Sequence, residues 1–431
     1  MKLGILITTF NRPQYLRECL ESLKRADIPE NTCIVIVDDC STDQETLRLI
    51  SASTYTVIHK NKNAGICDSL IIGFNYLFCE GCDEMMNLDS DAIVRNDFVQ
   101  RVQELSWVRN IKTGFHCTTK NKDGSDRHRI AEQGKIEIKQ AISANFGPLS
   151  VYVGEDIKQV EYNCKSSVGG INMCFQTKHW DKIRSSIMNS AEKKLNWDHQ
   201  LCLLMGGAVS PNVSCIQHIG VSSSMGHHEQ PDVADTFKGL SLPDVTLICV
   251  DDDVQRAARA IEICTNDIAF GATRQISPTV PLGSKRAYSE FIMHEVYKYC
   301  NTSRMLIIQH DGYVKNWKAW DRSWLEYDYI GAPWEWYKDG MQVGNGGASC
   351  RSKRLMELCS TLPLQTDKYD NGSYAEDHNI CRIHRPYLES KGMKFAPVEV
   401  ARKFSIEGWG LTPQQRKYNG QFMFHGKAVI F

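Results

Sequence analysis

The sequence has no long hydrophobic run and no excess of charge of one sign. None of its apolar stretches approaches the roughly 20 residues that a transmembrane helix needs, so we expect no membrane span in the 431 residues. The formal net charge is −1, with 50 Lys and Arg against 51 Asp and Glu. Such a balance disfavours a nucleic-acid-binding surface, because those surfaces are usually basic.

Two common nucleotide-binding signatures and a cysteine framework are also missing. No GxGxxG follows the first apolar run and no GxxxxGK[ST] occurs, which disfavours dinucleotide dehydrogenases and P-loop NTPases. The 17 cysteines have no regular spacing, a pattern typical of free thiols in a reducing compartment. The chain opens without a secretory signal pattern. We therefore expect a cytoplasmic protein, with peripheral association at a membrane as the alternative.

Apolar runs of strand type alternate with amphipathic helical segments. The order "LGILITTF", "PQYLRECLESLKRA", "CIVIVDD" and "DQETLRLISA" predicts a mostly parallel sheet with helices on both faces. A polar, turn-rich stretch at 222–243 interrupts the pattern, and "DVTLICVDDD" with "VQRAARAIEIC" starts it again. The sequence thus predicts an α/β domain over 1–225, a linker over 226–243 and a second α/β domain over 244–431.

Two carboxylates end the apolar run "MNLDSDA" at 86–92. Asp89 and Asp91 would repel each other unless a positive group lies near them. Carboxylate oxygens are the ligands that Mg²⁺ and Mn²⁺ prefer, and ligands of parallel sheets bind at the carboxyl ends of strands. The motif therefore favours a divalent metal site. The alternative is a turn or a helix N-cap, since Asp and Ser suit both.

The same order of short motifs occurs in both halves of the chain. It runs through an acidic strand end, paired glycines, an acidic residue before a histidine, and a histidine near a glycine. The first half has "LDSDA", "GG" at 169–170, "WDHQ" at 197–200 and "QHIG" at 217–220; the second has "QHDG" at 309–312, "GNGG" at 344–347, "EDHN" at 376–379 and "FHG" at 424–426. This agreement predicts related sites in the two halves, and we interpret the extra length of the first half, about 108–165, as an insertion on the acceptor side.

Residues 1–225 resemble a family 2 glycosyltransferase of the GT-A fold, through "ITTFNRPQYLRECLESL", "IVIVDDCSTD", "KNAG" and "LDSDA". Residues 244–431 resemble a less characterised glycosyltransferase-like family, through "LIIQHDGYV", "YDYIGAPW", "VGNGGASCRS", "AEDHNIC", "KFSIE" and "FHG". The resemblance implies an α/β protein with two Rossmann-like GT-A domains, the fold of nucleotide-diphospho-sugar transferases, in tandem. The second half departs from the usual Asp-x-Asp with Gln309-His310-Asp311.

This resemblance implies a bifunctional, metal-dependent hexosyl- or pentosyltransferase that inverts configuration in its first domain. Mn²⁺ or Mg²⁺ would act as a Lewis acid on a nucleotide-diphospho-sugar donor, and the acceptor would be a glycan, glycolipid or glycoprotein. One alternative is that the second domain only binds glycan or acceptor. Another is transfer to modified bases of nucleic acid, which the charge balance disfavours although the polar loop 120–130 could contact phosphates.

The resemblance assigns the site residues to metal binding, to nucleotide-sugar binding and to catalysis. Asp91 and His218 would bind the metal in the first domain, as would Asp311 and His425 in the second. The residues expected on the nucleotide-sugar side are Thr9, Asn11, Arg12, Asp39, Asn63, Gly65, Asp89, Gly169, Gly170, Gly346 and Gly347. The Asp39 carboxylate could accept from the imide N–H of uracil or thymine, or it could cap the helix that follows. His218 could also be a structural histidine.

The acceptor hydroxyl must lose a proton, which calls for a carboxylate on the face of the sugar opposite the leaving group. Asp198 matches the general base of family 2, and its alternative is a helix N-cap. In the second domain Asp377 is the expected catalytic base, and its neighbour Glu376 is a competitor for that role.

Overall fold

The chain forms two compact units, Met1–Phe237 and Lys238–Phe431. The computed structural model describes residues 1–105, 107, 109–116, 130–141, 155–165, 168–211, 213–220, 234, 236–276, 284–366, 374–408 and 412–431. Residues 226–233 and 235 of the predicted linker, and 120–129 of the polar loop, lie outside them. No helix within these ranges is long and apolar enough to cross a membrane.

The first unit alternates strands and helices as the sequence predicts. Its strands are β1 (Leu3–Thr9), β2 (Cys33–Asp38), β3 (Thr56–His59), β4 (Glu84–Asp89), β5 (Ala92–Val94), β6 (Ile130–Ala141), β7 (Glu155–Lys165), β8 (Cys174–Gln176), β9 (Ala208–Pro211) and β10 (Ile216–His218). Its helices are α1 (Pro13–Lys24), α2 (Gln44–Ser51), α3 (Ile66–Cys79), α4 (Phe98–Glu104), α5 (Trp180–Lys193) and α6 (Trp197–Met205), with a 3₁₀ turn at Thr177–His179.

The main sheet of the first unit has the order β3-β2-β1-β4-β8. Strands β1 to β4 are parallel, and β8 runs antiparallel to β4. All seven residues of β1 are buried, and Leu16, Leu20 and Leu23 of α1 pack into the core beside this strand. The carboxyl ends of β1, β2 and β4 therefore bring the "TTFNR", "VDD" and "LDSDA" motifs to one edge of the sheet.

The second unit repeats this plan. Its strands are β11 (Leu240–Val250), β12 (Ile268–Ile276), β13 (Arg304–Ile308), β14 (Tyr329–Gly331), β15 (Ala348–Ser352), β16 (Ser405–Glu407) and β17 (Met423–His425). Its helices are α7 (Val254–Asp267), α8 (Lys285–His294), α9 (Lys353–Cys359), α10 (Glu376–His378), α11 (Arg385–Ser390) and α12 (Val398–Phe404), with 3₁₀ turns at Val296–Tyr299, Trp317–Ala319 and Arg322–Glu326 and a π-helical turn at Asn379–Ile383.

Strand β11 begins at Leu240, inside the stretch predicted as linker up to 243. That part of the prediction is wrong because Leu240 and Leu242 are buried and pair with β12. Pro243, which suggested a turn, lies where the register with β12 shifts. A missing N–H is tolerated at such an irregularity.

The two main sheets have corresponding strand orders. The second sheet is β12-β11-β13-β15-β14, in which β12, β11 and β13 are parallel and β15 is antiparallel to β13. Strand β13, which leads into Gln309-His310-Asp311, thus occupies the position of β4 in the first sheet. The predicted α/β class with mostly parallel central strands is confirmed in both units.

The returning histidine strands also pair in the same register. Ile216 of β10 pairs antiparallel with Val94, and Met423 of β17 pairs antiparallel with Val314. Each histidine strand therefore meets the chain three residues beyond its aspartate, Asp91 or Asp311. This pairing fixes the backbone of each histidine beside an aspartate that is distant in sequence.

Candidate active site in each unit

The carboxyl edge of the first sheet borders a cavity of about 410 Å³. The predicted residues that line it are Thr9, Arg12, Asp39, Asn63, Gly65, Asp89 and Asp91. Thr9 Oγ1 is buried, and within the described part of the chain it makes no hydrogen bond. A buried hydroxyl without a partner is costly, so this atom is available to a ligand.

The turn after β1 is held in an unfavourable backbone conformation. Asn11 and Arg12 have φ values of 52° and 61°, which non-glycine residues rarely adopt and which cost about 1–3 kcal/mol each. The side-chain oxygen of Asn11 accepts from the N–H groups of Thr42 and Asp43 at 2.9 and 3.0 Å. Asn11 therefore fastens the β2–α2 loop, rather than lining the cavity as predicted, while Arg12 projects toward Asp91.

Asp39 holds the start of α3 against the cavity. Its two carboxylate oxygens accept from the N–H groups of Ala64 and Gly65 at 2.9 and 2.8 Å, and Lys60 Nζ lies 2.7 Å from Oδ1. The alternative that Asp39 caps the following helix is wrong, because Asp43 caps α2 by accepting from Thr46 N–H. Sequence reasoning missed Lys60, which no local pattern connects to Asp39.

The two acidic residues of the "LDSDA" motif have opposite electrostatic behaviour. Burial, and then the charge of Asp91, raise the pKa of Asp89 to about 8. Burial also raises the pKa of Asp91, but hydrogen bonds and charges from His218 and Arg12 outweigh it and leave that pKa below its usual value. Arg12 lies 2.8 Å and His218 Nε2 lies 3.4 Å from Asp91 Oδ2. The pair is a place where an added positive charge would be stabilised.

These residues fit a divalent ion of the Mn²⁺ or Mg²⁺ type. Asp89 and Asp91 offer carboxylate oxygens and His218 an imidazole, which suits Mn²⁺ in particular. In the described ranges no group of three or more Asp, Glu, His or Cys side chains is arranged so that it could hold a metal ion. Mg²⁺-type sites commonly use one or two carboxylates together with the substrate's phosphates, so an incomplete set of protein ligands agrees with a metal that binds with a diphosphate.

Asp198 lies in the first turn of α6 and is held by two backbone N–H groups. Oδ2 accepts from Gly170 at 2.9 Å and Oδ1 from His199 at 2.8 Å. The N-cap alternative is wrong, because the cap position of α6 is Asn196. Bonds from two N–H groups fix the orientation of the carboxylate.

Gly169 and Gly170 differ in how closely they pack against neighbouring side chains. A Cβ atom added to Gly170 would lie 2.7 Å from the Trp197 ring, whereas at Gly169 the nearest atom is 3.9 Å away. Only Gly170 is therefore required by close packing. Asn87, to which the sequence did not point, donates to the Gly170 carbonyl and, at 3.4 Å, to Asp89. It therefore joins the loop at Gly170, which orients Asp198, to the acidic pair Asp89 and Asp91.

The second unit has a larger cavity, about 720 Å³, in the corresponding place. The predicted residues lining it are Gly346, Gly347, Glu376, Asp377 and His425, and its other wall includes Trp334, Trp336 and Tyr337. Trp336 is 44% exposed, whereas Trp334 is buried. Asn345 Oδ1 is buried at this cavity and, among the described residues, has no hydrogen-bond partner.

Asp377 is held in the same way as Asp198. Oδ2 accepts from Gly346 N–H at 3.0 Å, and Oδ1 accepts from His378 N–H at 2.9 Å. Burial, followed by the charge of Glu376, raises the pKa of Asp377 to about 6. In both units a glycine N–H and the N–H of the next residue, a histidine, thus orient one carboxylate.

The Glu376 carboxylate forms an ion pair with a buried arginine. Its Oε1 lies 2.9 Å from a guanidinium nitrogen of Arg351, which is fully buried. Arg351 also donates to the Gly346 carbonyl at 3.2 Å, and a Cβ atom added to Gly346 would lie 2.0 Å from Glu376 Oε1. Of the two predicted acidic residues, Glu376 is thus paired with an arginine, whereas Asp377 accepts from backbone N–H groups.

The histidine and aspartate predicted to bind metal lie together in each unit. The N–H of Ile219, after His218, donates to the Asp91 carbonyl at 2.8 Å, and the N–H of Gly426, after His425, donates to the Asp311 carbonyl at 3.0 Å. His425 Nε2 lies 3.7 Å from Asp311 Oδ1. The backbone bond between the histidine segment and the aspartate is therefore shared by the two units.

The side chains around His425 differ from those around His218. His425 Nδ1 lies 2.8 Å from Glu407 Oε2, and Nε2 lies 2.9 Å from Gln309 Oε1. Burial lowers the pKa of His425, but its contacts with Glu407 outweigh this and leave the pKa above its usual value. Glu407 belongs to the "KFSIE" motif, to which the sequence assigned no role.

Two family models match different segments of the chain. Residues 4–125 match the family model described as "Glycosyl transferase family 2", and residues 272–420 match "Protein of unknown function (DUF5672)". Part of the first unit therefore matches the family 2 glycosyltransferase model, as the first resemblance predicted, and most of the second unit matches a family whose description gives no function.

Similarity to individual proteins is more limited. A segment of 51 residues is 43% identical to the poly(ribitol-phosphate) beta-N-acetylglucosaminyltransferase TarS of Staphylococcus aureus, covering 12% of this chain and only 9% of that protein. The crystal structure of S. aureus TarS aligns over 51% of this chain and 37% of that one, with 16% identity and a TM-score of 0.33. A Pyrobaculum calidifontis mannosyltransferase in complex with GDP-Man and Mn²⁺ aligns over 28% of this chain and 35% of that one, with 17% identity and a TM-score of 0.23.

Replacing Arg351 with Met should lower the free energy of unfolding of the second unit by about 3–5 kcal/mol, because Glu376 would keep a buried, unpaired charge. Urea unfolding followed by tryptophan fluorescence measures this. The double variant Arg351→Met, Glu376→Gln should recover at least half of the loss. If the two changes are simply additive, the pair does not stabilise Glu376 as described.

Proposed function

We propose that the chain is a bifunctional glycosyltransferase in which each unit transfers one sugar from a nucleotide-diphospho-sugar. The observation that carries this proposal is the repeated carboxylate arrangement. Asp198 and Asp377 each accept from a glycine N–H and from the N–H of the next residue. In each unit the residue after the histidine donates its N–H to the carbonyl of the aspartate. The shared motif order alone would not require this atomic correspondence.

The chemistry proposed for the first unit is a single displacement with inversion. The acceptor hydroxyl oxygen forms a bond to the anomeric carbon, and its proton passes to Asp198. The bond from that carbon to the diphosphate breaks, and its electron pair leaves on the phosphate oxygen. Gly170 N–H keeps one carboxylate oxygen in place at 2.9 Å, which orients the base for this transfer.

In the first unit Asp91 and His218 would hold Mn²⁺ or Mg²⁺, with Asp89 beside them on the nucleotide-sugar side. The ion, when bound, would stabilise the charge of the departing diphosphate. Arg12, 2.8 Å from Asp91, places a guanidinium at the same edge and would contribute in the same sense.

We propose a uridine or thymidine diphospho-sugar as the first donor. A carboxylate offers about four acceptor positions, and Asp39 uses three of them for Ala64, Gly65 and Lys60. One position is left for the imide N–H of the base, and Thr9 Oγ1 supplies a further unused group in the same cavity. For the acceptor we propose a glycan, glycolipid or glycoprotein.

A binding role for the second unit is the second candidate. It is favoured by Gln309, which replaces the first carboxylate of Asp-x-Asp, and by the exposed ring of Trp336 beside the cavity. Aromatic faces pack well against sugars and would then position the acceptor for the first unit. In that case replacing Asp377 should change acceptor affinity alone.

Replacing Asp198 with Asn should lower the rate of donor consumption by the first unit about 10²-fold or more, since the acceptor loses its base. Release of nucleotide from a panel of nucleotide sugars, with acceptor present, measures this. The matched control is Asp181→Asn, which changes an acidic residue in the first turn of α5 and should leave the rate unaltered. A rate for Asp198→Asn within a few-fold of the wild type would exclude the assignment.

The activity of the second unit should rise with pH through about 6. The proposed base, Asp377, has a raised pKa of about 6, so it is protonated and inactive below that value and ionised above it. The pH profile of kcat/KM, measured in the Asp198→Asn background, tests this. A profile that stays flat between pH 5 and 7 would contradict the role of Asp377 as the base.

A further inference from the structure

We infer that the acceptor of the second unit already carries a sugar, and that the exposed ring of Trp336 binds a sugar of this acceptor. The inference rests on the proposed function, because it assumes that Asp377 takes the proton of an acceptor hydroxyl. It narrows the acceptor to a molecule that was glycosylated before it reached this site. Trp334, Trp336 and Tyr337, called the aromatic wall below, line the same cavity as Asp377.

The aromatic wall adjoins the proposed base. His378 follows Asp377 in sequence, and the centroid of its ring lies 4.5 Å from that of Trp334 and 6.3 Å from that of Tyr337. The centroid of the Trp336 ring lies 5.9 Å from that of Tyr337. An acceptor hydroxyl must come within hydrogen-bond reach of the base. The molecule that carries this hydroxyl therefore lies next to the aromatic wall.

The sheet order places the aromatic wall away from the side expected to bind the nucleotide. In the first unit Thr9 and Asp39 lie at the carboxyl ends of β1 and β2, whose counterparts in the second unit are β11 and β12. The aromatic wall follows β14, which is at the opposite edge of the second sheet from β12. Strands β13 and β14 are both antiparallel to β15, so the chain leaves β14 where the cavity lies. This position favours the acceptor over the nucleobase.

Contacts within the unit hold the aromatic wall in one conformation. A Cβ atom added to Gly344 would lie 2.0 Å from the Trp334 ring. The guanidinium carbon of Arg382 lies 3.6 Å from the centroid of the Tyr337 ring, and the same guanidinium pairs with Asp339 at 2.6 Å. A surface that is already ordered loses little conformational entropy when it binds a ligand, so this wall is prepared for binding.

Trp336 is the exposed member of the aromatic wall. It is 44% exposed, whereas Trp334 is 3% exposed. The face of an aromatic ring carries partial negative charge, and the C–H hydrogens on one face of a pyranose carry partial positive charge. The two faces therefore attract each other and exclude water. A serine hydroxyl or a lipid phosphate offers no such face, so a pyranose is the acceptor group that this ring suits.

The hydroxyl groups of a sugar would find polar partners at the same cavity. Asn345 Oδ1 is buried and makes no hydrogen bond to any residue that the structure describes. Asn345 and Lys285 both line the cavity. Ligand sites commonly combine aromatic surface with a few polar groups that fix the orientation of the ligand, and this cavity has both.

Binding of simple glycosides to the full chain, measured by saturation-transfer difference NMR, tests the sugar subsite without relying on activity. The probes are the methyl glycosides of glucose, N-acetylglucosamine, galactose, mannose and rhamnose. We expect at least one to bind, with its signal lost in Trp336→Ala and retained in Trp336→Phe, which keeps an aromatic face. The matched control is Tyr387→Ala, which removes an aromatic ring of 43% exposure on α11 and should leave binding unchanged.

Sugar transfer by the Asp198→Asn variant tests the choice of acceptor. With a panel of donors, the second unit should transfer to glycosides and not to a serine peptide or a prenyl phosphate, which carry no sugar. Adding Trp336→Ala should raise the KM for the glycoside about 10-fold or more. The Kd for UDP, dTDP, CDP or GDP, measured by calorimetry, should not change.

Binding and KM values that do not depend on Trp336 would overturn the inference, as would transfer to a sugar-free acceptor as fast as to a glycoside. Weaker binding of a nucleotide in Trp336→Ala would also overturn it, because the ring would then contact the nucleobase. Glycoside binding that depends on Trp336, without any transfer by the Asp198→Asn variant, would agree with the sugar subsite but contradict the activity proposed for the second unit. The two ideas therefore fail separately.

Discussion

The hydrogen bond from a glycine N–H to a carboxylate oxygen organises both candidate sites. In each unit the glycine lies in the loop that leads into an antiparallel strand, β8 or β15, and that strand pairs with the strand carrying the metal-motif residues. The bond therefore ties the carboxylate, at the start of a helix, to the central sheet. Since the sheet edge also forms the cavity, the core of the unit sets the position of this carboxylate relative to the cavity.

The two units share this hydrogen bond but differ in the charged side chains of their candidate sites. In the first, burial and then the charge of Asp91 raise the pKa of Asp89 to about 8, so a bound cation would favour the ionised form of this carboxyl group. In the second, Gln309 removes one carboxylate, and Glu407 pairs with His425 at 2.8 Å. Charged side chains thus pair with each other in both sites, Arg12 with Asp91 in the first and Glu407 with His425 in the second.

The sequence predicts the fold class and the order of the motifs because both depend on local patterns. Alternating apolar runs mark the strands, and short polar motifs follow them at the edge where parallel sheets bind ligands. The position of Asp198 and Asp377 at helix starts is also a local property. For these elements the prediction needs no knowledge of which distant residues meet.

The side chains that pair with the candidate site residues come from distant parts of the sequence. Arg12 reaches Asp91 across 79 positions of sequence, and Asn345 reaches Glu407 across 62. Arg351 pairs with Glu376, 25 positions away, and this contact distinguishes Glu376 from its neighbour Asp377. No spacing rule connects such pairs, because folding of the whole unit brings them together. The predicted end of the linker was wrong for a similar reason. Pairing with β12 buries Leu240, although its neighbours in sequence are polar.

Mass spectrometry of the products made by wild type, Asp198→Asn and Asp377→Asn tests the central claim, that both carboxylates are bases for separate transfers. Each protein is incubated with the same panel of donors and acceptors. We predict that one variant leaves the acceptor unmodified, and that the other adds one sugar and stops before the second. Identical products from the two variants, or wild-type products from either, would contradict the claim.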